Sequence, residues 1–230
     1  MAAGDERSGV AWHASAVFGA VEMPLFAAVF VAGMLNYLPI SNTPWLFLLG
    51  SVLLLARGKF WGSVGFRWPQ HATSALALGA AAGVALSVHE LVVLEPLVRS
   101  YTGSSPDLSI FKELRGNLET TLIWIALSWV LAGFGEEMVW RGYALNRLAA
   151  LLGDTTGAWV FAAVAVNIAF GIAHDYQDMT GIIVTGIGGL TYTVLYFLAG
   201  RNLAVPIMAH GMQNTCDFLF MYWGGIIPGI

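Results

Sequence analysis

Gly133-Phe134-Gly135-Glu136-Glu137-Met138-Val139-Trp140-Arg141-Gly142-Tyr143 places two carboxylates and a guanidinium inside a run that is apolar on both sides. A charge at mid-bilayer costs roughly 2.5–3.5 kcal/mol on insertion scales. Such groups persist there when they pair or when they do chemistry. Helical geometry divides them. Glu136 and Glu137 project about 100° apart, whereas Glu137 and Arg141 stand at i and i+4 on one face and can pair. Glu136 is left needing a partner from elsewhere. A carboxylate without a counter-charge in low dielectric accepts a proton readily, as a general base must near neutrality.

The rest of the chain reads as the room built around this stretch. Of 230 residues, 57% are hydrophobic and 10% charged, with mean hydropathy +0.71; an ordinary soluble domain is about 25% charged. Seven candidate spans follow, near 14–38, 44–56, 72–94, 119–152, 158–174, 181–199 and 203–223, each judged against the ~20 residues of a bilayer crossing. The expectation is an all-α, polytopic membrane helix bundle of about seven to eight transmembrane helices with interfacial helices, forming one transmembrane domain over 1–230.

Several local readings attach to that frame. The basic and aromatic stretch Arg57 to Pro69 suits the headgroup level. Residues 95–119 read as a loop plus an interfacial amphipathic helix, with His89 and Glu90 at an interface just before it. The fourth helix is longer than a crossing needs and is expected to bend or emerge after Arg141. Gly181, Thr185, Gly189 and Thr193 recur every four residues, a small-residue stripe for close helix packing. Glu22 beside Pro24 reads as structural, and Trp12, Trp45, Trp61, Trp68 and Trp223 as an interfacial belt. The polar segment Met1 to Val10 lacks a basic n-region, so the first span is expected to be retained.

Charge and cysteine content exclude some classes. A net charge of −4 without a basic patch excludes a nucleic-acid partner. The single Cys216 excludes an intramolecular disulfide. With alternating spans, Arg57, Lys59, Arg67, Arg147 and Arg201 fall on one side and Arg99, Lys112 and Arg115 on the other. That places the N-terminus in the cytoplasm of a multi-pass protein of the cell (plasma) membrane.

Two later spans supply partners for Glu136. Phe170 and His174 are i,i+4 on the fifth, with Asn167 a turn back on the same face. His210 and Asn214 are i,i+4 on the seventh, with Asp217 two turns from His210. Polar groups in spans face the bundle interior. There they make an inventory suited to hydrolysis by water: Glu136 as proton carrier, His174 orienting water, and His210 with Asn214 donating to an oxyanion. No serine or threonine sits at a nucleophile elbow, so no covalent acyl-enzyme is expected. Zinc is the rival reading, since Glu136, His174 and His210 form a two-histidine, one-carboxylate set. The HExxH spacing is missing.

Glu136-Glu137-x-x-x-Arg141, Phe170-x-x-x-His174 and His210-x-x-x-Asn214, in that order on successive helices, resemble the CAAX-protease and bacteriocin-processing (CPBP, or Abi) family of intramembrane proteases, which includes the type II CAAX prenyl endopeptidase. The likeness covers a core of about 119–222, and Trp61 to Pro69 is similar to the family's stretch ahead of a span. The resemblance implies a membrane endopeptidase in which Glu136 and His174 activate water and His210 and Asn214 hold the oxyanion. Glu137, Arg141 and Phe170 would be supporting residues. It implies no cofactor and no metal, and a peptide or protein substrate, lipidated or not, met in membrane lipid. The compact chain resembles prokaryotic members. The alternative is a non-catalytic membrane immunity factor or scaffold that keeps the polar cluster for folding or partner binding; a carrier is a third, weaker reading, since no repeat is evident.

Overall fold

The computed structural model describes residues 16–225, so Trp12 and the polar N-terminal segment lie outside the described residues. Among these residues every regular element is a helix, with no strand. Its long helical runs are α1 (Ala16–Met34), α2 (Asn42–Ala56), α3 (Ala72–Thr102), α4 (Leu118–Leu151), α5 (Thr156–Ile172), α6 (Asp178–Leu198) and α7 (Ala204–Tyr222). All seven candidate spans thus fall on helices, within a few residues at most ends. By length and composition α3, α4 and the run Asp175–Leu198 can each cross a membrane, while Gly19–Met34, Asn42–Ala56 and Thr156–Ile172 are shorter apolar helices. The chain is a membrane protein.

Two expectations are corrected. The third span does not stop at Leu94: α3 runs unbroken for 31 residues, past Pro96. A π-helical stretch, Glu90–Leu94, precedes the α-helical segment that restarts at Glu95, so Pro96 sits in a first turn. There its missing N–H and fixed φ are tolerated. The amphipathic helix expected in 95–119 is present as Glu95–Thr102 but carries on from the third span, and the loop after it holds only the short 3₁₀ turn Ser109–Leu114. Before that turn, hydrogen bonds from the Ser109 amide (2.8 Å) and side chain hold the exposed Asp107 carboxyl below its ordinary range.

The fourth helix is one continuous run. It continues to Leu151 and is π-helical from Trp129 to Ala144. The excess length is taken up by a wider turn around the charged stretch, as π segments commonly are at functional sites.

Glycines set how closely the helices lie. A Cβ on Gly79 would fall 2.6 Å from Met208 Cβ and 2.7 Å from the Val205 carbonyl, so α3 and α7 touch backbone to backbone. The α5–α6 approach uses Gly171 against Gly186, 3.1 Å from the position a Cβ would take. Of the small-residue stripe on α6, Gly181 meets its own Gln177, whereas Gly189 admits Phe170 and Asn167 of α5 together with Arg141.

Glu22 is structural, by ion pairing. It is buried and accepts from Arg57 Nε at 2.7 Å, Arg147 Nε at 3.2 Å and the Tyr143 hydroxyl at 3.2 Å. This cluster ties α1, α2 and α4 together at one end of the bundle. Trp61 leaves the expected belt: it is half-buried, stacks on Phe47 at 4.9 Å and donates to Ser51 at 3.0 Å. Trp68 and Trp223 stay exposed, as a belt requires.

Candidate active site

The π-helical stretch of α4 carries Glu137 and Arg141 into a fully enclosed position, both 0% exposed. Arg141 Nη1 donates to Glu137 Oε1 at 3.0 Å, the i,i+4 pair read from the sequence. Three further guanidinium donors are also taken. Nη2 reaches Asn167 Oδ1 at 2.9 Å and the Gly189 carbonyl at 2.5 Å, Nε meets Thr193 Oγ1 at 3.4 Å, and Cζ lies 4.5 Å from the Phe170 ring centroid. Asn167, read from its spacing as a neighbour of the site, donates to Ala163 O and Thr193 Oγ1 and lies behind it. One arginine thus fastens α4 to α5 and α6.

Gly189 is required by that packing. A Cβ there would stand 2.6 Å from Phe170 Cδ1 and 2.7 Å from both Arg141 Nη2 and Asn167 Oδ1. Gly189→Ala is expected to destabilise by about 1–3 kcal/mol, the usual range for overpacking. A thermal melt in detergent checks this; an unchanged midpoint would contradict the packing.

Glu137 has a second duty that its spacing does not reveal. Its Oε1 also meets His210 Nδ1 at 2.9 Å. A carboxylate paired with Arg141 is an acceptor, so Nδ1 carries the hydrogen and the His210 ring is turned to aim Nε2 outward. Tyr192 stacks on that ring at 4.6 Å and 18°, and Phe170 meets its edge at 6.3 Å.

Phe170 also packs against His174 at 4.9 Å, so both imidazoles touch one phenyl ring. His174 follows the last turn of α5, where its Nδ1 lies 2.9 Å from the Phe170 carbonyl. A carbonyl only accepts; Nδ1 therefore donates, and Nε2 of the neutral ring is left with its lone pair. Trp140 supports Phe170 from the other side at 5.8 Å, itself braced by Phe26 and Phe30 of α1.

Glu136 turns away from this scaffold. It is 17% exposed, and its Oε2 is buried without a hydrogen-bond partner, 4.0 Å from His210 Nε2. That separation exceeds a direct hydrogen bond. Glu136, His174, His210 and Asn214 all line one cavity of about 890 Å³. Its walls include Met34 at the end of α1, Asn42 and Thr43 at the start of α2, and Asp175 to Gln177 after α5. It therefore sits at the opposite end of α1 and α2 from the Glu22–Arg57–Arg147 cluster. The loop before Ser109 closes part of its rim, Asp107 N donating to Gln177 O at 3.1 Å.

Among the described residues, no three histidine, cysteine, aspartate or glutamate side chains are arranged to hold an ion, Glu136, His174 and His210 included.

The cavity holds polar groups that sequence reasoning misplaced or missed. Asp217, on the His210 face, lines it and accepts from Ser87 Oγ at 2.5 Å. Glu90 is not at an interface but in the wall, accepting from Gln213 Nε2 at 2.8 Å, while Gln213 Oε1 accepts from the Tyr192 hydroxyl at 2.6 Å. Glu95 lines the cavity too. The signal for Glu90 and Glu95 is the one that flags Glu136, a carboxylate within an apolar run, and Pro96 masks it by reading as a helix end. Tyr192 carries no such signal.

Compared with known proteins, residues 118–216 match the family model described as Type II CAAX prenyl endopeptidase Rce1-like. No curated protein and no solved structure matches the chain. The matched family is one of proteases, whose substrates are peptides and proteins.

Proposed function

We propose, for a chain whose residues 118–216 belong to the type II CAAX prenyl endopeptidase Rce1-like family, that the cavity hydrolyses a peptide bond with water activated by Glu136 and His174. The observation that carries this reading is the buried, unpartnered Glu136 Oε2 in a space shared with two imidazoles and an amide.

The steps follow from the donors and acceptors. Water donates one hydrogen bond to Glu136 and one to the His174 Nε2 lone pair, which fixes its attacking lone pair toward the substrate carbonyl. As the C–O bond forms, the proton passes to Glu136. The carbonyl oxygen becomes an oxyanion and accepts from Asn214 Nδ2 and His210 Nε2. Because Nδ1–H is committed to Glu137, His210 donates from Nε2 only as the imidazolium. In that state Glu136 and His210 carry opposite charges, as do Glu137 and Arg141, and the quartet is neutral. Collapse breaks the C–N bond, and Glu136 returns its proton to the leaving amine. The scheme needs protein groups and water alone.

Asn214→Ala is expected to lower kcat by roughly 10²–10³-fold, the usual effect of losing one oxyanion donor, with KM little changed. Cleavage kinetics of a membrane-presented peptide check this; a loss confined to KM would assign Asn214 to ground-state binding.

The same reading places the chain across the cell membrane of a prokaryote, with its N-terminus and the Arg57, Arg147 and Arg201 end in the cytoplasm. On that topology the cavity faces the other side. A reporter fused at the N-terminus that is active only outside the cytoplasm would contradict the orientation.

A further inference from the structure

We propose that Tyr192 is a positioning residue for His210, held in place by a hydrogen-bonded strut that runs through Gln213 to Glu90; the proposal rests on the hydrolytic reading above. The strut crosses three helices. The Tyr192 hydroxyl on α6 donates to Gln213 Oε1 on α7 at 2.6 Å, and Gln213 Nε2 donates to Glu90 Oε2 on α3 at 2.8 Å. An amide nitrogen only donates, so the carboxylate fixes which end of the Gln213 side chain faces it and leaves the carbonyl end for the hydroxyl. Tyr192 and Gln213 are both buried, and Tyr192 commits its one hydroxyl hydrogen to this contact.

The backbone is built to receive the strut. Gly83 lets α3 close on α7 at the level of Gln213: a Cβ there would fall 2.4 Å from the Ala209 carbonyl and 3.0 Å from the Gln213 backbone nitrogen. Further along α3, Glu90 opens the π-helical stretch Glu90–Leu94, and such turns gather at functional sites. The other π-helical stretch, Trp129–Ala144, supplies Glu137 to His210 Nδ1. Both stretches therefore connect to one imidazole.

His210 needs more than its bond to Glu137. Histidine χ2 is a broad torsion without a sharp rotamer well, and a hydrogen bond tolerates a wide range of angles. Glu137 selects the tautomer, yet the ring could still tip and carry Nε2 with it. The Tyr192 ring lies nearly parallel to the imidazole, 4.6 Å away at 18°, and blocks that tipping, while Phe170 meets the ring at 87°. Tyr192 is kept from swinging in turn by Gln213 and by Arg141, whose Cζ lies 5.4 Å from its centroid. Glu137 thus chooses which nitrogen faces the cavity, and Tyr192 sets the plane in which it points. A misplacement of about 1 Å at a reacting group can cost about 10²-fold in rate.

The test uses the full chain in detergent micelles and four variants: Tyr192→Phe, Tyr192→Leu, Gln213→Met and the double variant Tyr192→Phe with Gln213→Met. Turnover of a membrane-presented peptide is expressed per folded molecule, from a thermal melt of each preparation. Tyr192→Leu removes the stack and is expected to lower kcat by about 10²-fold at unchanged KM. Tyr192→Phe keeps the ring and should lose only roughly 2–10-fold, the equivalent of one ordinary hydrogen bond. Gln213→Met should match it, and the double variant should lose no more than the larger single, since both cut one strut. The ring-proton resonances of labelled His210, assigned by their loss in His210→Gln, give a readout independent of turnover. The stacked Tyr192 ring shields them, so they should move downfield in Gln213→Met and furthest in Tyr192→Leu. A rise in KM alone in Tyr192→Leu would make Tyr192 a wall that touches substrate and overturn the positioning role. Additive losses in the double variant, or His210 resonances that stay in place in Gln213→Met, would overturn the strut. Resonances that move as stated in a wild type that cleaves nothing would leave the strut standing and refute the hydrolase.

Discussion

Replacing Glu136 by glutamine is expected to lower kcat by roughly 10²–10⁴-fold, the range of a general acid–base contribution, with no loss of thermal stability. The second half of that expectation comes from the structure. Glu136 Oε2 accepts no hydrogen bond, and its nearest charged neighbour, His210 Nε2, stands 4.0 Å away. Glutamine keeps the shape and breaks no hydrogen bond, since none is made to Glu136 Oε2. A residue kept for folding would behave in the opposite way, with a lower melting point and activity reduced only as far as the folded fraction falls. Cleavage rate and melting temperature measured on the same preparation separate the two. Biological activity that survives Glu136→Gln would favour the immunity-factor or scaffold alternative.

The largest stability effect is expected at Arg141. Arg141→Met leaves Glu137 fully enclosed without its cation, and strips donors from Asn167 Oδ1 and the Gly189 carbonyl. Breaking a buried ion pair from one side typically costs about 3–5 kcal/mol, enough to unfold a marginal protein. The double variant Glu137→Leu with Arg141→Met should regain part of that loss, since apolar replacement of both partners is often near neutral. Activity should not return with it. Glu137 also fixes the His210 ring through Nδ1 at 2.9 Å, so the double variant leaves the imidazole free to turn. Melting temperatures and turnover of the single and double variants check this. Recovery of turnover along with stability would show that Glu137 does no more than neutralise Arg141.

These two residues also show what the sequence makes legible. The spacing of Glu137 and Arg141 is local, and a pair four residues apart on a helix can be read without knowing the fold. The same holds for the seven helices, each an apolar run in the sequence, though only three are long and apolar enough to cross a membrane by length and composition. What could not be read is long-range. Glu137 Oε1 serves Arg141 and His210 together because α7 lies against α4, 73 residues later in the chain. Glu90 was misplaced because Pro96 signals a helix end, whereas the π turn before it lets the helix continue. The π turns from Trp129 to Ala144 leave no mark in the spacing either, since the pattern is read with α-helical turns throughout. Asn167 shares a face with Phe170 and His174, yet it belongs to the Arg141 clamp rather than the cavity, a distinction of radial position that spacing alone does not carry.

The central claim is that Glu136 delivers water to the substrate carbonyl and is not itself the attacking group. A single-turnover reaction in ¹⁸O-enriched water, with protein in excess over peptide, tests it most directly. Direct attack by activated water places one ¹⁸O in the newly formed product carboxylate on the first turnover. An unlabelled carboxylate on the first turnover would mean that the oxygen came from a protein side chain, and would contradict the account.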